Sequence, residues 1–429
     1  MTSPVKLIRA DRASAKQGAM WDTLGQLALE VQPIDLGIGC PDFAASEALR
    51  QDFRDVVEDQ DFTLHQYTKG FGHPRLCQAL SALYSGLLGR ARVDPETQIV
   101  ITNGASEGLF VSLMGLVNPG DEVIIIEPFF DCYLPQIELA GGTAVCVPLR
   151  PGKSEHSSDW RLDEAELRAA FTCNTKVMIV NTPHNPTGKV FSRCELEMIS
   201  SLCRQHNVIA ISDEVYEWLT YDGVEHVRMA SLPGMWERCI TIGSAGKIFS
   251  VTGWKLGWMI APAHLLNGPK LVHQNSGYIC CTPTQEALAR AFERETALLS
   301  KNSPNCYFLS LAREAEAKRD ILVFLLREAG LKPIVPQGGY FVMADVRDIM
   351  NKIDVGGDPS EPKDFRFVKW LTKNRKLQAI PPSGFYSPKH QFIGENYIRL
   401  CFLKEDSTLS KAGEILRALG EELRDTVAS

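Results

Sequence analysis

The sequence predicts an α/β protein: a mostly parallel central sheet flanked by helices, with a smaller α+β domain appended. Three observations carry this expectation. From about Pro95 onward, short apolar runs alternate with helix-patterned stretches, as in a parallel sheet covered on both faces. After about Thr282 the alternation gives way to long helical segments and then to a second set of short strands. The chain, at 429 residues, also exceeds the usual size of a single core.

The elements follow in order. Ile99 to Thr102 reads as a strand and Ser106 to Val117 as a helix; Val123 to Glu127 is a strand followed by a helical pattern to Ala140. Val177 to Asn181, a helix from about Cys194 to His206, and Val208 to Asp213 continue the alternation, with Cys239 to Gly243 and Gly257 to Ala261 as further strands. Their continuous apolar character suits strands buried on both faces. Cys306 to Ala329 is one long helix, with Leu309, Ala312, Ile321 and Leu325 at roughly helical spacing. The smaller unit has strands at Gly330 to Pro333, Gly339 to Met343, Leu377 to Ile380 and Tyr397 to Phe402. A helix from Ser407 to about Arg424 closes it. Asp354 to Lys363, with Gly356 and Gly357, is a surface loop.

Hydrophobic content of 45%, charged content of 23% and a net charge of −7 are ordinary globular values. Acidic and basic residues are interspersed, so neither a basic stripe for nucleic acid nor a polybasic patch for a membrane surface is present. The expected partners are small molecules. Twelve cysteines include no C-x-x-C pair, which excludes a zinc or thioredoxin-like reading, and no metal site is expected. No apolar run reaches membrane-spanning length, and reduced thiols point to an intracellular compartment. Lys6, Arg9, Arg12 and Lys16 near the start weakly resemble a matrix-targeting leader, so the cytosol is the expected location and the mitochondrion the alternative.

The chemistry centres on Ser244 to Gly257, SAGKIFSVTGWKLG, which places Lys247 just beyond the strand Cys239 to Gly243. In open α/β sheets that edge binds ligands. A surface turn is the competing reading; a phosphate-binding P-loop fails because Gly243 and Gly246 stand too close and Ile248 replaces the required Ser or Thr. A Schiff-base lysine needs a carbonyl partner and an electron sink, and pyridoxal phosphate supplies both. It asks for an acid at its ring nitrogen, donors to its ring oxygen and a phosphate cradle.

Candidates exist for each. Asp213 ends a buried strand, with Tyr216 three positions on; a helix N-cap is the alternative role for the aspartate. Asn185 sits in the rigid turn Asn181 to Gly188 and, with Tyr216, is placed to serve the ring oxygen, unless it is a plain Asn-Pro turn. Asn103 to Ser106 joins a strand to a helix, so its N–H groups form an anion site. Ser244 and Lys255 add a hydroxyl and a charge. Phe130 offers a stacking face or is simply core. Arg399 is a guanidinium in the middle of an apolar strand, and needs a carboxylate from either a substrate or the protein itself.

With these residues assembled, the chain resembles the fold-type I pyridoxal-phosphate aminotransferases, and more narrowly the kynurenine aminotransferase, glutamine transaminase K and cysteine-S-conjugate β-lyase group. The carrying segments are EPFFDCY (Glu127 to Tyr133), NTPHNPTGKVFSR (Asn181 to Arg193), SDEVYEWL (Ser212 to Leu219), LPGMWER (Leu232 to Arg238), TIGSAGK (Thr241 to Lys247), HQNS (His273 to Ser276) and PQGGYF (Pro336 to Phe341).

The resemblance implies that Lys247 is the Schiff-base lysine, that Asp213 pairs with the pyridinium, and that Asn185 and Tyr216 bond the ring oxygen. It implies a phosphate shell of Gly104, Ala105, Ser244 and Lys255, with Ser106 among the cofactor-binding residues and Phe130 against the ring. Arg399 takes the substrate carboxylate with help from Asn185 and the Gly39 backbone, while Trp21, Tyr278 and Phe341 line the side-chain pocket. It further implies a homodimer in which Tyr67 reaches the partner's phosphate. Residues 1–45 become an N-terminal arm and part of the small domain, 46–330 the large cofactor-binding domain, and 331–429 the small C-terminal domain. The implied reaction is transamination between an aromatic, sulfur-containing or glutamine-type amino acid, kynurenine among them, and a 2-oxo acid; β-elimination from cysteine S-conjugates is the alternative. Departures at Ser106, Ile279 and Gly39-Cys40 reshape the pocket and bear on which amino acid is preferred.

Overall fold

The computed structural model describes residues 10, 12 and 19–428. Of the basic N-terminal residues singled out above, Lys6, Arg9 and Lys16 lie outside the described residues. Eight strands form the large sheet in the order 99–102, 257–260, 239–244, 209–213, 175–181, 122–127, 143–150 and 161–162. The five from 239–244 to 143–150 run parallel. Alternate residues of each strand enter opposite apolar layers: Ile124, Ile126, Met178 and Val180 on one side, Val123, Ile125, Val177 and Ile179 on the other. Burial on both faces is why these strands read as unbroken apolar runs.

Gly257–Ile260 is antiparallel to both neighbours, with Ser244 opposite Gly257. The link from Ser244 holds only a one-turn helix, Ala245–Ile248, and the turn Thr252–Trp254, so it folds back instead of crossing over the sheet. This return loop carries both Lys247 and Lys255.

The second sheet is antiparallel, in the order Lys332–Ile334, Phe341–Asp345, Tyr397–Cys401. Helices Tyr307–Glu328 and Asp406–Ala428 pack with it around its own apolar cluster. Ile34–Asp35 pairs in parallel with Leu377–Gln378, which attaches the N-terminal segment to this part of the molecule. Among the described residues, no helix is long and apolar enough to cross a membrane.

Several boundaries differ from expectation. The strand expected from Gly330 begins at Lys332, because Gly330 (φ +80°) ends the preceding helix and the Leu331 N–H closes on the Leu326 carbonyl at 3.0 Å. The strand expected from Gly339 begins at Phe341; the Gly339 N–H turns to the Leu219 carbonyl at 2.9 Å instead of a strand partner. Of Leu377 to Ile380, only the first two residues form a strand, while Ile380 bridges Arg399 through reciprocal backbone bonds. The strand Thr143–Arg150 and the helices Glu47–Glu58, Pro74–Leu87 and Ala263–Ser276 were not anticipated.

A glycine is required one residue before Ser244. A Cβ at Gly243 would lie 2.2 Å from the fully buried Trp258 ring across the ladder. Gly243→Ala is expected to cost about 1–3 kcal/mol in denaturant unfolding. Gly253→Ala, where no described residue lies within 4 Å, serves as the near-neutral comparison.

Candidate active site

A cavity of about 270 Å³ opens at the carboxyl edge of the parallel strands. Every cofactor-contacting residue expected from this chain's own site lines it. Gly104, Ala105 and Ser106 come from the turn after the first strand, and Phe130 follows the strand Glu122–Glu127. Asn185, Asp213 and Tyr216 come from the next two strand ends, and Ser244, Lys247 and Lys255 from the return loop.

Lys247 Nζ donates to the Tyr340 hydroxyl at 2.6 Å and to the Gly39 carbonyl at 3.4 Å; the Tyr340 hydroxyl itself donates to Gly39 at 2.6 Å. Burial holds the Lys247 ammonium down to about 8, because removing it from water disfavours its charged form. The surface-turn reading of this segment therefore gives way to an enclosed amine.

Asp213 is almost wholly buried, and burial pushes its carboxyl up to about 6 against the stabilising bond from the Tyr133 hydroxyl at 2.5 Å. It caps no helix. One side chain fixes its surroundings: Asn181 donates through Nδ2 to the Asp213 carbonyl at 2.9 Å, and its Oδ1 accepts the Asn185 N–H at 2.7 Å. Tyr216 lies edge-on to Tyr340 at 5.0 Å, its hydroxyl pushed up by burial.

At the opposite end, helix Ala105–Leu116 starts from Gly104 at φ +76° with no side-chain cap. First-turn N–H groups therefore lack the acceptor a Ser or Asp would supply. The Lys255 ammonium stands over this turn, 3.3 Å from where a Gly104 Cβ would be. Phe130 is half-buried and edge-on to Tyr133 at 5.8 Å, so it is a cavity wall and not interior core.

Arg399 is buried, yet among the described residues no carboxylate forms an ion pair with it. Nη1 donates to Asn185 Oδ1 at 3.2 Å, Nη2 donates to the Gly37 carbonyl at 3.1 Å, and Nε has no partner. The guanidinium lies over the Phe341 ring at 4.0 Å and near Phe385 at 5.0 Å. Burial lowers its affinity for its proton. The alternative of a protein carboxylate partner is thus not met.

The remaining expected residues fall outside the cavity wall. Gly39 packs so closely on Phe341 that a Cβ would lie 2.4 Å from its ring. Trp21 donates to Asp131. Tyr67 and Tyr278 form an edge-to-face pair at 5.9 Å, are 82% and 53% exposed, and are not among the residues that line this cavity. Sequence reasoning gave no role to Tyr133, Tyr340 or Asn181, although all three stand inside quoted segments. Asn181 ends a strand and Tyr340 follows a glycine pair, which was their signal; Tyr133, at the start of helix Tyr133–Leu139, carried none.

A lysine enclosed at a strand end, a carboxylate on the adjoining strand and an uncapped helix N-terminus within this sheet define a fold-type I pyridoxal-phosphate enzyme. The family model for aminotransferase class I and II matches residues 31–416. The chain belongs to that family and is a pyridoxal-phosphate-dependent aminotransferase. It is 48% identical over 419 residues to kynurenine–oxoglutarate transaminase 3 of Mus musculus, covering 96% of this chain and 90% of that one. With kynurenine–oxoglutarate transaminase 1 of Homo sapiens it shares 46% over 424 residues, 97% and 100% of the two chains. Among solved structures, Bna3p of Saccharomyces cerevisiae superposes with a TM-score of 0.88 at 34% identity, covering 96% and 99%. YbdL of Escherichia coli, a methionine aminotransferase, gives 0.84 at 32%, covering 96% and 100%.

The raised Asp213 carboxyl makes a stability prediction. Its folded value of about 6 exceeds the ordinary aspartate value of 3.8, so the folded chain binds more protons between these limits and stability falls as pH rises through that window. Above about pH 6 the ionised group costs the cofactor-free protein about 3 kcal/mol. Asp213→Asn is expected to stabilise the cofactor-free chain by up to that amount at pH 7 and to change little near pH 4, as read by denaturant unfolding at the two pH values.

Proposed function

We propose that the chain transaminates kynurenine and related amino acids, with glutamine, methionine and aromatic amino acids as further donors, and a 2-oxo acid such as oxoglutarate as acceptor. The observation that carries this reading is the identity of 46% and 48%, over 97% and 96% of this chain, to kynurenine–oxoglutarate transaminases, joined to a buried guanidinium that no carboxylate among the described residues pairs.

The residues present fit pyridoxal phosphate. The uncapped turn at Gly104 and Ala105, with Ser106, Ser244 and Lys255, would hold the phosphate. Asp213, its charge supported by the Tyr133 hydroxyl, would face the ring nitrogen; Asn185 and Tyr216 would bond the ring oxygen, and Phe130 would cover one face. Lys247 would carry the cofactor as a Schiff base. Bound there, the cofactor supplies an electron sink for the pair left when the substrate Cα proton departs.

The chain's own residues do the rest. Arg399 binds the substrate carboxylate in a bidentate fork, with Asn185 and the Gly39 backbone beside it, and so fixes the Cα over the site. Lys247 Nζ, when free, takes the Cα proton, and its value near 8 suits a base working close to neutrality. Tyr340 and Gly39 hold that amine between turns of the cycle. Trp21, Tyr278 and Phe341 would shape the side-chain pocket.

The same proposal includes a homodimer, in which the exposed Tyr67 would reach the partner's phosphate, and a reducing cytosolic setting consistent with twelve unpaired cysteines. It assigns residues 46–330 to the cofactor-binding domain, although helix Tyr307–Glu328 of that span packs into the small sheet's cluster, with 1–45 and 331–429 forming the arm and the small domain.

Incubating the loaded enzyme with kynurenine and no acceptor should release the corresponding 2-oxo acid product once per site, followed by acceptor-dependent turnover. Absence of that single-turnover product with every donor named would overturn the reading. Lys247→Ala is expected to lower turnover by at least about 10³-fold, since general acid–base transfer contributes on the order of 10²–10⁴. Arg399→Ala should mainly raise KM for amino acids, checked by steady-state kinetics. Tyr67→Ala should weaken cofactor retention, and sedimentation should return twice the chain mass.

A further inference from the structure

The HQNS segment has no role in the reaction as derived, yet its histidine is buried behind the phosphate turn. His273 is fully buried at the C-terminal end of helix Ala263–Ser276. Its Nδ1 lies 3.0 Å from Glu107 Oε1 and its Nε2 lies 3.1 Å from the Gly70 carbonyl. A carbonyl oxygen only accepts, and an ionised carboxylate only accepts, so the seat offers an acceptor to each ring nitrogen, the arrangement a doubly protonated ring fills. Glu107 in turn accepts the Asn103 N–H through Oε2. Burial raises its carboxyl, but the His273 and Asn103 bonds outweigh this and leave it below the usual range.

Glu107 is the third residue of helix Ala105–Leu116, and its side chain reaches back to the residue before the uncapped Gly104. The reach back is that of a capping-box glutamate displaced by one residue, onto the N–H before the N-cap instead of the N-cap's own. It shapes the turn while leaving the first-turn N–H groups for an anion. It also places a negative charge within a turn of a phosphate site, which repels a dianion unless it is neutralised. A protonated His273, 3.0 Å away, would supply that neutralisation. The seat is tight: a Cβ at Gly277 would lie 2.5 Å from Glu107 Oε1 and 2.8 Å from Asn103 Nδ2.

We propose that Glu107 and His273 are positioning residues for the cofactor's phosphate: the carboxylate sets the Asn103–Ala105 turn, and the imidazolium cancels its charge so that the turn accepts an anion. The inference rests on the phosphate lying at that turn.

The test uses the full chain, stripped of cofactor and titrated by absorbance with pyridoxal phosphate and, separately, with pyridoxal, which lacks the phosphate. His273→Asn should weaken pyridoxal phosphate binding about tenfold or more and leave pyridoxal unchanged. The double variant Glu107→Gln/His273→Asn should recover most of the loss, because the unneutralised carboxylate is gone. Lys255→Ala, which removes a charge from the same turn, is the reference for phosphate discrimination. If Lys255→Ala discriminates between the two ligands while His273→Asn weakens both equally or neither, the pair has no phosphate role. If Lys255→Ala also fails to discriminate, the phosphate does not lie at this turn and the inference falls with that placement. Should His273→Asn not fold, the isosteric Glu107→Gln decides: pyridoxal phosphate should bind about threefold or more tightly with pyridoxal unchanged, and equal or weaker binding overturns the proposal.

Discussion

Asn181 is the side chain on which the site depends. It ends one parallel strand, clasps the carbonyl of Asp213 at the end of the next, and accepts the N–H of Asn185 in the turn beyond. Two strand ends and one turn are thereby set at fixed spacing. Asn185 then passes the constraint on, since its Oδ1 accepts from Arg399, which belongs to the other sheet. The cavity edge of the large sheet and the strand of the small one that carries Arg399 are joined through a single pair of amides.

This arrangement keeps charges where water would relax them. Asp213 and Lys247 are both displaced from their ordinary values toward neutrality by burial, and Arg399 is left with an unsatisfied nitrogen. Each is unfavourable to the cofactor-free fold. Each is also what a site needs if a cationic ring, a carbonyl and a carboxylate are to find partners already oriented there. The sheet tolerates this strain because its two apolar layers are continuous behind the strand ends.

Much of the large sheet was legible in the chain because a buried parallel strand must be apolar at every position, which sets it apart from its helices. Ile99–Thr102 matches expectation residue for residue, and the strands ending in Asn181, Asp213 and Ser244 end within a residue of it. Boundaries set by turn geometry were less legible: Gly330 and Gly339 look like strand starts in sequence but take left-handed conformations that postpone the strand. Thr143–Arg150 escaped notice because it is only partly buried and contains Pro148, so its apolar run is broken.

By itself, the sequence determined which residue types stand at each strand end, because local alternation and turn chemistry fix where strands stop. That suffices to place Lys247, Asp213, Asn185 and Gly104 along one edge. Only the tertiary structure decided what those residues touch. Tyr133 on Asp213, Tyr340 on Lys247 and His273 on Glu107 are contacts across 80, 93 and 166 residues of chain, which no local period records. The same holds for Arg399. Its chemistry demanded a carboxylate, but that none among the described residues reaches it depends on which side chains the packed sheets bring together.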